Sequence, residues 1–203
     1  MDRISHLKRA LATLNDARRD LYARTNALTE EELQFKPSRD AWSVGQVMDH
    51  IIKFEAQFVA DLRKKLLTFG DDPVEDTLIS QVMRPLIFTG MRHARGFVKF
   101  EAPSALRPVL GYPHLYLVYK LAQVREVTFD VAEQLARREE MVYLTEPRTG
   151  TLLSGEDWLY LIGLHESRHV RQVERVIAAL EDQREHRRAI TNGVHKKLIP
   201  VAS

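Results

Sequence analysis

The chain contains no cysteine among its 203 residues. This absence excludes a disulfide framework and a thiolate-bound metal site, so any metal must be bound through nitrogen or oxygen atoms. One sign of charge is not in excess either, because 30 lysines and arginines accompany 28 aspartates and glutamates. The resulting net charge of +2 gives no reason to expect a nucleic-acid partner.

Long apolar runs are also missing. No uninterrupted apolar segment approaches the ~20 residues that a membrane-spanning helix needs, and the opening MDRISHLKR does not resemble a signal peptide. We therefore expect no membrane partner and a cytoplasmic location. A hydrophobic content of 44% with 29% charged residues is typical of a globular protein with one well-buried domain.

Helical periodicity dominates the chain, and no strand-like alternation or internal repeat is convincing. Apolar residues at three- and four-residue spacings predict four long helices. The first ends near Leu28, and the other three run from about Val44 to Leu67, from about Leu115 to Arg138, and from about Gly155 to Glu185. Capping-box patterns precede helical segments at Thr29 with Glu32, Ser43 with Gln46, and Ser154 with Asp157. The predicted fold is an all-α four-helix bundle.

A long crossover separates the second predicted helix from the third. Residues 70–113 are rich in proline and glycine, and the pattern predicts one short helix there, around Val74 to Met83. Such a connection is uncommon inside a compact domain, so we expect it to lie over one end of the bundle. We assign residues 1–186 to the bundle domain and 187–203 to a basic C-terminal tail.

The segment HESRH, His165 to His169, carries the most chemical information in the chain. Residues four apart on a helix lie one turn from each other, so both imidazoles can close on one cation. The two histidines continue the apolar seam of the last helix, which predicts that both are buried. His50, on the apolar stripe of the second helix, is the candidate for a third ligand. Alone it would more often be a core histidine satisfied by a hydrogen bond.

HESRH also satisfies the HExxH pattern of zinc metalloproteases, in which Glu166 would act as general base. The match is formal, because the extended pattern requires a further glycine and histidine that this sequence lacks. Under this alternative His50 would be dispensable for metal binding.

Three segments in the right order resemble the DinB/YfiT-like metalloenzymes, a superfamily of bacterial four-helix bundles. They are PSRDAWSVGQVMDHI (37–51), VKFEAPSALRP (98–108) and LHESRHVRQV (164–173). The resemblance implies that His50, His165 and His169 bind one divalent metal, with zinc or nickel expected. It also implies a small-molecule substrate and one of two activities, a metal-dependent hydrolase or a thiol-dependent S-transferase. Because the chain has no cysteine, a low-molecular-weight thiol would have to be a cosubstrate.

Other residues could support such a site. Glu166 is a candidate general base, although a charge facing solvent would explain it equally well, and Asp49 carries the same ambiguity. Gln172, one turn beyond His169, is a candidate partner of the metal ligands. Trp42 and Trp158 are predicted to anchor the core at two helix starts. The crossover adds lone histidines and basic residues that could approach the site, namely His93, His114, Arg92, Arg95 and Arg107.

A function without catalysis stays open at this point. The bundle could be a binding or stress-associated protein whose metal is structural, and a fourth protein ligand closing the site would favour that function. Bundles of this kind often pair into homodimers through an exposed apolar helix face. A homodimer is compatible with the sequence, which does not identify that face.

Overall fold

The computed structural model describes residues 2–68, 78–93 and 103–197. Within these residues the α-helices are α1 (Arg3–Thr25), α2 (Glu30–Gln34), α3 (Val44–Leu67), α4 (Leu78–His93), α5 (His114–Arg137) and α6 (Gly155–Lys197). A 3-10 turn spans Ser104–Leu106. Two short antiparallel strands, β1 (Tyr143–Thr145) and β2 (Leu152–Ser154), form a hairpin directly before α6.

Polar side chains begin the helices where the sequence predicts them. Reciprocal capping bonds join Thr29 to Glu32 at α2, and Ser43 to Gln46 at α3. At α6, Ser154 Oγ accepts from the amide of Asp157, and Asp157 Oδ2 accepts from the amide of Ser154. These bonds satisfy amides that have no partner within the helix, and they confirm the three predicted capping boxes.

Four features of the predicted secondary structure are wrong. Helix α1 ends at Thr25 instead of near Leu28, because Asn26 caps it and the amide of Leu28 donates to the carbonyl of Thr25 in a turn. Helix α4 runs to His93, past the proposed end at Met83, because Pro85 lies inside the helix without ending it. Val74, its expected start, lies outside the described residues.

The other two differences lie in the C-terminal half of the chain. Helix α6 continues to Lys197 instead of ending near Glu185. The expected tail therefore starts inside a helix, and the domain boundary at residue 186 stays a prediction. The β1–β2 hairpin was not predicted, because strands of three residues are too short for alternation to be visible.

Helix packing forms the bundle. Helix α1 packs along α6, while α3 packs against both α5 and α6. Helices α1 and α6 approach closely at Gly163, where an added Cβ would lie 3.0 Å from the backbone nitrogen of Leu14. Among the described residues, no helix has the length and apolar character needed to cross a membrane.

Four charged residues, one from each long helix, form a closed ring inside the bundle. We call Arg18 (α1), Glu55 (α3), Arg125 (α5) and Glu166 (α6) the ion-pair ring. Arg18 lies 2.6 Å from Glu166 and 2.9 Å from Glu55, and Arg125 lies 2.5 Å from Glu166 and 2.7 Å from Glu55. All four residues are buried, with Glu55 0% and Glu166 1% exposed. Burial of these charges is tolerated because each has two partners of opposite sign.

Opening the ring is expected to destabilise the protein strongly. Arg125→Met leaves two buried carboxylates sharing one arginine, and removal of one partner from a buried ion pair typically costs about 3–5 kcal/mol. Urea denaturation followed by circular dichroism measures the loss.

The matched control is Arg137→Met on the same helix. Arg137 pairs with Glu133 on an exposed face, where an ion pair contributes little, so its urea midpoint should stay at the wild-type value. Equal midpoints for the two variants would contradict the predicted role of the ring.

Candidate metal centre

Helices α3 and α6 bring three histidines to one point in the bundle. His50 lies on α3, and His165 and His169 lie one turn apart on α6. One ligand atom from each of the three falls within 4.8 Å of the others. The Nε2 atoms of His165 and His169 are 3.2 Å apart. All three side chains are buried, with His50 5%, His165 6% and His169 7% exposed.

This arrangement fits a divalent metal ion. Two imidazole nitrogens at ~2.0–2.1 Å from a tetrahedral zinc are about 3.3 Å apart, close to the separation between His165 and His169. A nitrogen-only site suits zinc, nickel, copper or iron. No fourth His, Cys, Asp or Glu joins the cluster in the described parts of the chain. Three histidines would thus leave a coordination position open for a small molecule.

Hydrogen bonds orient two of the rings. His50 Nδ1 lies 2.8 Å from the carbonyl oxygen of Leu106, so this nitrogen carries the proton and donates it. His169 Nδ1 lies 2.9 Å from Gln172 Oε1 and donates in the same way. In each ring the remaining Nε2 then has a free lone pair, the form that binds a metal.

Aromatic rings surround the histidines. The Trp42 ring centroid lies 5.0 Å from that of His50 and 6.4 Å from that of His169. Phe54 stacks on His165 with the centroids 3.6 Å apart and the planes at 8°. The sequence predicts Trp42 only as a core anchor. Its contact with the histidines depends on how the helices pack and is visible only in the structure. Trp158, the other expected anchor, is 1% exposed and stacks on Phe58.

The segment 106–109 is held across one turn of α3 beside His50. Asp49 Oδ2 accepts a hydrogen bond from the backbone nitrogen of Val109 at 2.7 Å and lies 2.8 Å from Lys53 Nζ. Lys53 Nζ donates to the carbonyl oxygen of Arg107 at 2.9 Å. Together these bonds position the carbonyl of Leu106 that binds His50. Asp49 thus contacts this segment and Lys53, and its suggested part in the site remains a prediction.

Glu166 faces away from the histidines, into the ion-pair ring. Its Oε1 accepts from Arg18 Nε at 2.6 Å, and its Oε2 accepts from Arg125 Nη2 at 2.5 Å. The two carboxylate oxygens are therefore both held by guanidinium groups. A general base needs an oxygen that can reach the reacting proton, and this geometry gives no support to that role.

The candidates from the crossover that the structure describes are exposed or contact other groups. His93 is exposed at the end of α4, and the backbone amide of His114 donates to Glu30. Arg92 donates to the Tyr160 hydroxyl. The carbonyl of Arg107 binds Lys53. Arg95 lies outside the described residues.

Burial keeps the three histidines uncharged. It lowers the pKa of His50 below the ordinary value of 6.5, and that of His165 well below it. Burial, reinforced by the charge that His50 would carry, lowers the pKa of His169 to about 3. Arg168 lies near enough for its positive charge to lower all three values. At neutral pH the site therefore presents unprotonated nitrogens, as a metal requires.

Acid is expected to destabilise the metal-free protein through these histidines. Below pH 6.5 the unfolded chain binds protons that the folded protein cannot, because the folded pKa of His169 is about 3. Stability is thus fully present above pH 6.5 and is lost progressively below it. Between about pH 7.5 and 5.5, His169 alone accounts for about 1.4 kcal/mol.

Urea denaturation with a chelator at both pH values measures this loss. His169→Leu should lose less stability on acidification than the wild type, by about 1.4 kcal/mol. The control is Leu180→Ala on the same helix, which removes a buried side chain but no titratable group and should keep the wild-type pH dependence. An unchanged pH dependence in His169→Leu would contradict the prediction.

Comparisons with known proteins place the chain in a family. Residues 13–173 match the model of the DinB superfamily. The uncharacterized protein YuaE of Bacillus subtilis (strain 168) is 26% identical over 173 residues, 84% of this chain and 99% of YuaE.

A solved structure shows the same fold. YfiT from Bacillus subtilis, described as a probable metal-dependent hydrolase with an unusual four-helix bundle topology, matches with a TM-score of 0.55 at 13% identity. The match covers 89% of this chain and 90% of that one, which confirms the expected all-α bundle. Because the family match extends from α1 past His50 to both histidines of α6, the chain belongs to the DinB superfamily.

Proposed function

We propose that this chain is a metal-dependent enzyme, and in the first instance a hydrolase acting on a small molecule. His50, His165 and His169 hold one divalent cation, zinc or nickel. The observation that carries this proposal is the convergence of three buried, uncharged imidazoles whose ligand atoms lie within 4.8 Å of one another. The Nε2 atoms of His165 and His169 lie 3.2 Å apart, a separation at which one cation would bind both.

The protein's contribution to the chemistry is to orient the metal-binding imidazoles and to bury them. A divalent metal, when bound, supplies an open coordination position at which a water or thiol loses its proton more readily. Leu106 and Gln172 fix the rings of His50 and His169, and Trp42 and Phe54 pack against the buried histidines. A low-water site strengthens electrostatic interactions with a substrate.

A thiol-dependent S-transferase is the second candidate, and the position of Glu166 favours it. With both of its oxygens held by arginines, Glu166 is not placed to deprotonate a water. A thiol is far more acidic than water and needs no such base. Because the chain has no cysteine, the sulfur would come from a low-molecular-weight thiol cosubstrate.

Two other functions receive less support from the geometry. A zincin-type protease needs the acid of HExxH at the metal, whereas Glu166 lies in the ion-pair ring. A purely structural metal usually has four protein ligands, whereas the cluster has three members among the described residues. The homodimer and the cytoplasmic location stay predictions from the sequence.

The metal content of protein purified without a tag tests the site. We expect about one divalent metal per chain in the wild type, and its loss in His50→Ala and in His169→Ala, because two imidazoles alone bind weakly. Elemental analysis provides the measurement. His186→Ala, which removes an exposed histidine of α6, should keep the full metal content.

Two results would contradict the proposed site. Retention of metal in His50→Ala would favour the HExxH alternative. The absence of metal from the wild type, even after supplementation with zinc or nickel, would indicate that the protein is a bundle without a metal site.

Paired assays of the metal-loaded protein separate the two activities. One assay follows hydrolysis of a set of nitrophenyl esters and anilides, and the other follows conjugation of an electrophilic dye to added thiols. The favoured activity should fall by at least about 10²-fold in His169→Ala, since the metal supplies much of the barrier reduction. Equal turnover by wild type and His169→Ala in both assays would overturn the proposed function.

A further inference from the structure

We propose that the ion-pair ring is a positioning device for the metal centre, and that Arg18, Glu55, Arg125 and Glu166 set the rotation of α3 and α6 at which the histidines converge. This inference rests on the proposed metal-binding function. It assigns to the ring a role beyond stability, although none of the four charged groups needs to touch the metal.

Each acid of the ring is the chain neighbour of a residue in the metal centre. Glu166 directly follows His165 on α6. Glu55 directly follows Phe54 on α3, and the Phe54 ring stacks on His165 at 3.6 Å. Consecutive residues of a helix differ by about 100° around its axis, so the ring and the metal centre occupy adjacent faces of the same two helical turns.

The arginines hold both acids in place from the other two helices. Arg18 and Arg125 each contact both Glu55 and Glu166, so neither acid can move without breaking two ion pairs. Arg18 Nη1 also donates to the carbonyl oxygen of Leu121 at 2.5 Å, and Arg125 Nη1 donates to that of Leu14 at 2.6 Å.

A side-chain hydroxyl completes the ring. Thr128 Oγ1 donates to Glu55 Oε1 at 2.6 Å. The ring thus ties side chains of all four long helices, and backbone carbonyls of α1 and α5, at one level of the bundle.

A small rotation of either helix would disturb the metal site. Side chains extend to about 5–6 Å from a helix axis, so a rotation of about 10° moves a side-chain tip by about 1 Å. Metal–ligand distances tolerate only about ±0.2 Å. Apolar contacts alone define rotation poorly, since they are non-directional, whereas the hydrogen bonds of the ring are directional.

Stability alone does not explain four buried charges. Apolar side chains of similar volume often hold a core together as well as a buried ion pair does, or better. The property that apolar residues would not reproduce is the fixed geometry of the guanidinium and carboxylate groups.

Arg125→Lys tests the inference while keeping the charge of the ring. A lysine ammonium cannot reproduce the fork that binds Glu55, Glu166 and the Leu14 carbonyl together. We expect the dissociation constant for Zn²⁺, measured by competition with a chromophoric chelator, to rise by about tenfold or more. The visible absorption spectrum of the Co²⁺ form should change as well, since it reports ligand geometry.

The matched control is Leu135→Ala, a core truncation near the end of α5. Leu135 packs against Gly155, ten residues and about 15 Å of helix rise before His165. This variant should lower the urea midpoint at least as much as Arg125→Lys does, yet keep the wild-type Zn²⁺ affinity and Co²⁺ spectrum.

The outcomes are distinguishable. Wild-type Zn²⁺ affinity and Co²⁺ spectrum in Arg125→Lys would overturn the inference and leave the proposed function intact, and so would equal weakening in Leu135→Ala. A wild-type protein that binds no metal would overturn both. If Arg125→Lys does not fold, Thr128→Val removes one hydrogen bond and keeps all four charges. It should weaken Zn²⁺ binding by about threefold, and unchanged binding would overturn the inference.

Discussion

The fold depends on satisfying charge and hydrogen-bonding groups where water cannot reach them. Glu55 and Glu166 are almost completely buried, and an isolated carboxylate in such a place would be very costly. The cost is offset because Arg18 and Arg125 come from the two other long helices and bind both acids. This requirement ties the relative positions of the four helices together, since no helix can shift without leaving a charge unpaired.

The three buried histidines, of which His165 directly precedes Glu166, differ from the ring in how their burial is tolerated. His50, His165 and His169 are buried like the ring, but the acids nearest to them in sequence, Asp49 and Glu166, bind other groups. The three imidazoles can be buried without a charged partner because burial lowers their pKa values and so keeps them neutral. The bundle thus separates two polar regions, one neutralised internally and one whose lone pairs are available to a cation.

The sequence predicted much of this arrangement because its signals are local. The apolar spacing identified the long helices, and the capping boxes that begin at Thr29, Ser43 and Ser154 identified helix starts. The four-residue spacing of His165 and His169 predicted that they share a face. The hairpin, the passage of α4 through Pro85 and the extent of α6 were missed, because short strands, tolerated prolines and exposed helical residues have weak local signals.

By itself the sequence determined the helical class, the absence of sulfur ligands and the three histidines as candidates for a metal site, since residue type and helical period suffice for these. Only the tertiary structure decided what each charged residue contacts. Glu166 lies between two candidate ligands in sequence pattern yet binds Arg18 and Arg125, and the partner of His50 is the backbone carbonyl of Leu106. These contacts join residues far apart along the chain. They depend on how the helices pack against one another, which no local pattern encodes.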